Sequence, residues 1–135
     1  MAEYDALVNH VTRWNVAVER LIRVKGPDAE KFVNRVITRD ATRIRPMNGK
    51  YVILCNEEGG ILNDPILLRL SADEFWFSIS GSDLEWWLRG VNVGLGMDVV
   101  IDEIDVAPSK SRVQNPRRLW ATCSARRCMR YPITA

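Results

Sequence analysis

The chain has 135 residues, 47% of them hydrophobic, and a formal net charge of +2. That size suits one domain with a real core and excludes two comfortable ones. Apolar runs such as Pro65 to Leu70 fall far below the roughly 18 residues of a membrane span, and the first ten residues lack a basic stretch ahead of an apolar one, so a cytoplasmic protein without membrane attachment is expected.

Taken in chain order, Tyr4, Leu7, Val8 and Val11 fall at helical spacing and predict a short amphipathic helix. Val16, Val18, Leu21 or Ile22, and Val24 then approximate a period of two, which predicts one strand with an irregularity near Glu19. Pro27, placed at a first helical position and followed by acids that suit the helix dipole, opens a second helix. Ala29, Phe32, Val33, Val36 and Ile37 line one of its faces. Cutting Phe32 to Ala is expected to cost about 3–5 kcal/mol if that face is buried.

A turn-rich connection from Thr42 leads to three predicted strands between Tyr51 and Ser80, joined at Asn56–Gly60 and Ser71–Glu74. Ser82 and Asp83 are candidate caps for a third helix, and Gly94 with Gly96 separates that helix from a last strand, Met97 to Val106. The order predicts an α+β domain with helices packed on a largely antiparallel sheet.

The charge is unevenly spread. Residues 109–135 hold seven of the nineteen bases and no acid, leaving twelve bases against seventeen acids before them. Periodicity also fails after Pro108, so residues 1–108 read as the domain and 109–135 as a basic, irregular, disordered tail. Trp120, Cys123, Cys128 and Tyr131 are not what disordered tails favour. A coding sequence displaced by one base after Pro108 accounts for that mixture best; a natural tail and a nucleic-acid-binding arm are the alternatives, with nucleic acid the less expected partner. Three cysteines without C-x-x-C spacing and a single histidine, His10, support neither a disulfide framework nor a metal centre. Cys55 is expected to be a small buried hydrophobe, and Trp86 and Trp87 to divide between core and a packing contact.

The stretch from Cys55 to Leu70, CNEEGGILNDPILLRL, is the most informative. Gly59 and Gly60 permit a tight turn, Pro65 removes a strand donor, and Asn63 and Asp64 stand directly ahead of an apolar run. Two readings are open: a turn in which Asn63 and Asp64 bond their own backbone, or a polar lip facing a ligand.

The segments VAVERLIRVKGPDAEKFVNRVITRD, KYVILCNEEGGILNDPILLRL, DEFWFSISGSDLEWW and DEIDVAP together resemble the N-terminal part of the folate-dependent aminomethyltransferase superfamily, which includes the glycine-cleavage T-protein. Within it, the Asn-Asp-Pro triplet and the later Ser-Asp pair are most similar to the dimethylsulfoniopropionate demethylase branch. The resemblance implies one-carbon chemistry on tetrahydrofolate with a small-molecule methyl donor. It implies Asn63 and Asp64 as the catalytic pair, and Tyr51, Asn63, Asp64 and Ser80 as cofactor-binding residues. T-proteins carry two acids where this chain has Asn63 and Asp64, and an Asn where it has Ser80. Asn63 cannot carry the charge that helps an ammonium intermediate, which favours methyl transfer from a preformed sulfonium over aminomethyl transfer. Since family members are much longer, this chain is expected to be a partial domain with little or no catalysis alone. It is also expected to expose apolar surface that favours self-association. A non-catalytic folate-binding or protein-interaction module is the alternative.

Overall fold

A computed structural model describes residues 2–9, 11–15, 18–106 and 109–113. The elements in order are α1 (Ala2–Asn9), β1 (Val11–Asn15), β2 (Arg20–Lys25), α2 (Ala29–Val36), a 3-10 turn (Ala41–Arg43), β3 (Asn48–Tyr51), β4 (Leu54–Cys55), β5 (Ile61–Asn63), β6 (Ile66–Arg69), β7 (Glu74–Ile79), α3 (Leu84–Leu95), β8 (Val100–Ile104) and β9 (Ser109–Val113). The described residues divide into two compact units, one of residues 2–9, 11–15, 18 and 109–113, the other of residues 19–106.

The first unit contains α1 and an antiparallel pair of β1 with β9, in which Val11 stands opposite Val113. The helix ends at Asn9, short of the predicted Val11, and Tyr4 and Val8 are exposed. Residues 109–113 are therefore a strand where an irregular tail is expected. A two-strand ladder is held by main-chain bonds, which Ser109, Lys110, Ser111 and Arg112 supply as well as apolar residues do. Pro108, the segment from 114 onward, and His10, with the cysteine, tryptophan and tyrosine expectations attached to that tail, lie outside the described residues.

The second unit is α+β, as expected. Its five-stranded sheet has the order β3-β6-β7-β2-β8, with every neighbouring pair antiparallel. Of the single irregular strand expected from Val16 to Val24, only Arg20 onward is strand, as β2, and Val16 lies outside the described residues. The chain turns at Val18 and Glu19, and Val18 is exposed because it belongs to that turn.

The three strands predicted between Tyr51 and Ser80 are also subdivided. β3 and β4 form one broken arm of a long hairpin, and β5 and β6 the other, so β3 pairs with β6 while β4 pairs with β5 in a separate small sheet. Pro65 explains the interruption, because it has no N–H for the ladder. Only its carbonyl takes part, accepting from Val52 N at 3.0 Å.

One face of the five-stranded sheet presents Ile22, Val24, Leu67, Phe75, Phe77 and Ile79 to α2 and α3. The predicted face of α2, Ala29, Phe32, Val33, Val36 and Ile37, is buried in this core, and Leu84 and Leu88 of α3 complete it. Each large apolar side chain so buried stabilises the fold by about 1.5–3 kcal/mol. Pro27 lies one residue ahead of the Asp28 cap rather than inside α2. Of the tryptophans, Trp87 packs against the core and Trp86 is exposed. Cys55, expected to be buried, is half-buried at the end of β4.

Arg69 is a buried charge, and its partners explain why it is tolerated. Its Nε donates to the carbonyl of Ser71 and its Nη1 to that of Ile44, both at 3.1 Å, and Glu30 of α2 provides the counter-charge. A buried guanidinium needs such a full set of acceptors.

Candidate functional site

The register places the sequence-predicted residues at one end of the sheet. Tyr51 is opposite Ile66, Ile66 opposite Ser78, Ser78 opposite Leu21, and Leu21 opposite Ile104, a row that crosses all five strands. Asn63 and Asp64 enter β6 at this end, and Ser80 leaves β7 at it.

The four residues are near one another along the chain ends but do not share a face. Side chains alternate along extended backbone. Val52, Leu54 and Pro65 are buried, whereas Tyr51, Ile53 and Asp64 are exposed, so Asp64 shares the face of Tyr51, opposite the helices. Tyr51 is 56% exposed and Ser80 is exposed beyond the end of β7. Asn63, one residue earlier, is half-buried and lies on the other side, toward the start of α3.

Asn63 Nδ2 donates to Ser82 Oγ at 3.0 Å, a contact across nineteen residues of chain. This is not the self-bonded turn geometry that the sequence left open. That geometry occurs elsewhere: Asn56 Oδ1 accepts from Gly60 N at 2.6 Å, and Asp40 accepts from Thr42 N at 3.0 Å. Gly59, with φ of 84°, supplies the left-handed residue of the Asn56–Gly60 turn. Among the described residues, the Asp64 carboxylate has no hydrogen-bond partner, which leaves all its acceptor capacity facing outward.

Ser82 was expected only as a cap. Its Oγ does accept from Leu84 N, at 3.3 Å, and Asp83 occupies the cap position without a side-chain cap bond. Sequence reasoning missed that Arg20 joins this group. Arg20 Nη1 donates to the Ser82 carbonyl at 3.1 Å, and its Nε lies 3.0 Å from both carboxylate oxygens of Glu103. Hydrogen bonding from Arg20 holds the Glu103 carboxyl below its ordinary value, and the same contact raises Arg20. Only the pairing of β2 with β8 brings these residues together, and that pairing leaves no local signal in the chain. Glu19, at the start of β2, accepts from Ser78 Oγ at 2.6 Å in the row that contains Tyr51.

The arrangement therefore offers a phenol, a carboxylate and a hydroxyl at one sheet end, with a fixed amide at its rim. Such a set can give and accept hydrogen bonds and can neutralise a nearby cation. Among the described residues, no helix is long and apolar enough to cross a membrane.

Comparison with known proteins fits this geometry into a family. Residues 1–118 match the family model described as the GCVT N-terminal domain. The chain is 39% identical over 116 residues to the dimethylsulfoniopropionate demethylase DmdA of Ruegeria pomeroyi, covering 86% of this chain and 31% of that protein. It is 27% identical over 99 residues to an aminomethyltransferase of Oceanobacillus iheyensis, covering 71% of this chain and 27% of that one. It thus spans about a third of the length of the relatives it matches. The fold is similar to that of the glycine cleavage system aminomethyltransferase T from Bartonella henselae, with a TM-score of 0.70 and 23% identity over 83% of this chain and 31% of that one. The chain belongs to the GCVT N-terminal domain family, as its resemblance to the aminomethyltransferase superfamily implies.

Proposed function

We propose that this chain is the folate-facing N-terminal part of a tetrahydrofolate-dependent methyltransferase that takes its methyl group from a sulfonium such as dimethylsulfoniopropionate. The observation that carries the reading is the exposed Asp64 carboxylate on the face of Tyr51, without a hydrogen-bond partner among the described residues, next to an Asn63 amide held by Ser82 rather than by its own backbone. The 39% identity to a dimethylsulfoniopropionate demethylase supports the donor class.

The residues present suit a pterin, whose edge alternates donors and acceptors. The Tyr51 and Ser80 hydroxyls can each give or take a hydrogen bond, and Asp64 accepts only. Tetrahydrofolate, when bound, supplies the nitrogen that receives the methyl group while the donor sulfur keeps the electron pair of the broken C–S bond. Asp64 then has two tasks, holding the cationic donor by charge and taking up the proton released from that nitrogen. Asn63 presents an uncharged acceptor, enough to orient a preformed cation without acid–base work. Positioning of this kind supplies a large share of the rate for a reaction whose leaving group is already activated.

Since the chain spans about a third of its relatives, it is read as binding without efficient turnover by itself. Titration calorimetry with tetrahydrofolate, and a methyl-transfer assay with dimethylsulfoniopropionate, test the two halves of this statement. Binding that is lost in Asp64→Ala, with negligible turnover, fits; no binding, or robust turnover by these residues, contradicts it.

A second reading, a protein-interaction module, draws on α3. Its outer surface exposes Trp86 at 64% and Val93 at 87% between Gly90 and Gly94, which have open space around them. Concentration-dependent association in size exclusion without folate binding is the result that favours it.

A further inference from the structure

Three segments converge on Ser82. Asn63 Nδ2 and Leu84 N both donate to its Oγ, at 3.0 and 3.3 Å, and Arg20 donates to its carbonyl at 3.1 Å. A serine oxygen has two acceptor sites, and these two donors occupy both. The Asn63 amide is therefore fixed as a donor toward Ser82, which turns its Oδ1 away from Ser82. Arg20 is itself braced by Glu103 from β8, so the main chain at Ser82 is anchored to two strands as well as to α3.

We infer that Ser82 is a positioning residue, resting on the folate reading above: it sets the rotamer and amide orientation of Asn63 so that Oδ1 is offered as a neutral acceptor to the bound methyl donor or pterin. Arg20 and Glu103 hold Ser82 in place for that task. In this arrangement the amide at residue 63 is the donor. A carboxylate there cannot donate to Ser82, and the hydroxyl would have to turn its hydrogen toward it. With an amide at residue 63, the Ser82–Asn63 contact leaves an uncharged acceptor at this rim, which suits a substrate that already carries its positive charge.

The test is the side-chain amide resonance of Asn63 in 15N-labelled full chain, with and without 5-methyltetrahydrofolate. In Ser82→Ala that resonance should move toward the values of exposed asparagines, and Ser82→Thr, which retains the hydroxyl, should restore it. Affinity for 5-methyltetrahydrofolate should fall by about 2- to 10-fold in Ser82→Ala, the range expected for one lost hydrogen bond. In an Asn63→Ala background the same serine change should cost less than about twofold, because coupled residues are not additive. An Asn63 resonance unmoved in Ser82→Ala overturns the inference, as does a fully additive pair of substitutions. If the unaltered chain fails to bind 5-methyltetrahydrofolate, the folate reading falls, and the amide resonance alone then decides the role of Ser82.

Discussion

Arg69 and Phe75 face each other across β6 and β7, with the guanidinium carbon 5.1 Å from the ring centroid. Both are buried, so the pair sits where its charge is least screened. Arg69 also satisfies the carbonyls of Ile44 and Ser71, which lie outside the ladder. Arg69→Ala removes all of this and leaves the buried Ile44 carbonyl without this donor, and should destabilise the chain by about 3 kcal/mol. Arg69→Lys should recover only part of that loss, since an ammonium lacks the planar fork. Urea unfolding followed by tryptophan fluorescence measures both.

Met47 holds φ at 62°, the only non-glycine residue with positive φ among the described residues. It follows Pro46 in a turn closed by Asn48 N donating to the Arg45 carbonyl at 3.1 Å. That position of the turn favours glycine. Met47→Gly relieves the left-handed strain but adds chain entropy to the unfolded state, and the balance should be a gain of about 0.5 kcal/mol. A shift of the urea midpoint to higher concentration checks it.

The Glu103 carboxyl, held below its ordinary value of 4.5 chiefly by hydrogen bonding from Arg20, makes stability depend on pH. A depressed folded-state value means that the unfolded chain takes up the proton first. The stabilisation is therefore complete above pH 4.5 and is lost as pH falls through the folded value. Asp28, Asp40 and Asp73 are depressed too, by hydrogen bonds from Asp98 N, Thr42 and Ser71 respectively, and act with the same sign below their ordinary 3.8. Glu103→Gln should leave a shallower loss of stability below pH 4.5, and a slope equal to that of the unaltered chain would contradict the pairing. Thermal unfolding at a series of pH values gives the comparison.

Much of the fold was legible because its elements carry local signals. The five apolar positions of α2 fall at helical spacing and are all buried. The turns at Asn56–Gly60 and Ser71–Glu74 carry the residues that such turns require, and both close as hairpins. What was not legible depends on distant pairing. The alternation expected to make one strand from Val16 to Val24 runs through the turn at Val18 and Glu19, and β1, which carries no strand signal of its own, becomes visible only once it pairs with β9. The same is true of the site. Asn63, Asp64, Tyr51 and Ser80 announce themselves by residue type and by resemblance, but their assignment to two faces follows from register. Arg20 and Glu103 have no motif at all, since they meet across the sheet between chain positions 83 apart.

The central claim is that the sheet end bearing Tyr51, Asp64 and Ser80, with Asn63 at its rim, holds tetrahydrofolate. Titration calorimetry of the full chain against tetrahydrofolate, repeated on Asp64→Ala and Asn63→Ala, tests it most directly. The account predicts saturable binding weakened by about tenfold or more in Asp64→Ala, where a charge-assisted contact is lost, and by a smaller factor in Asn63→Ala. Binding of equal strength in all three proteins, or no heat from the unaltered chain, would contradict it.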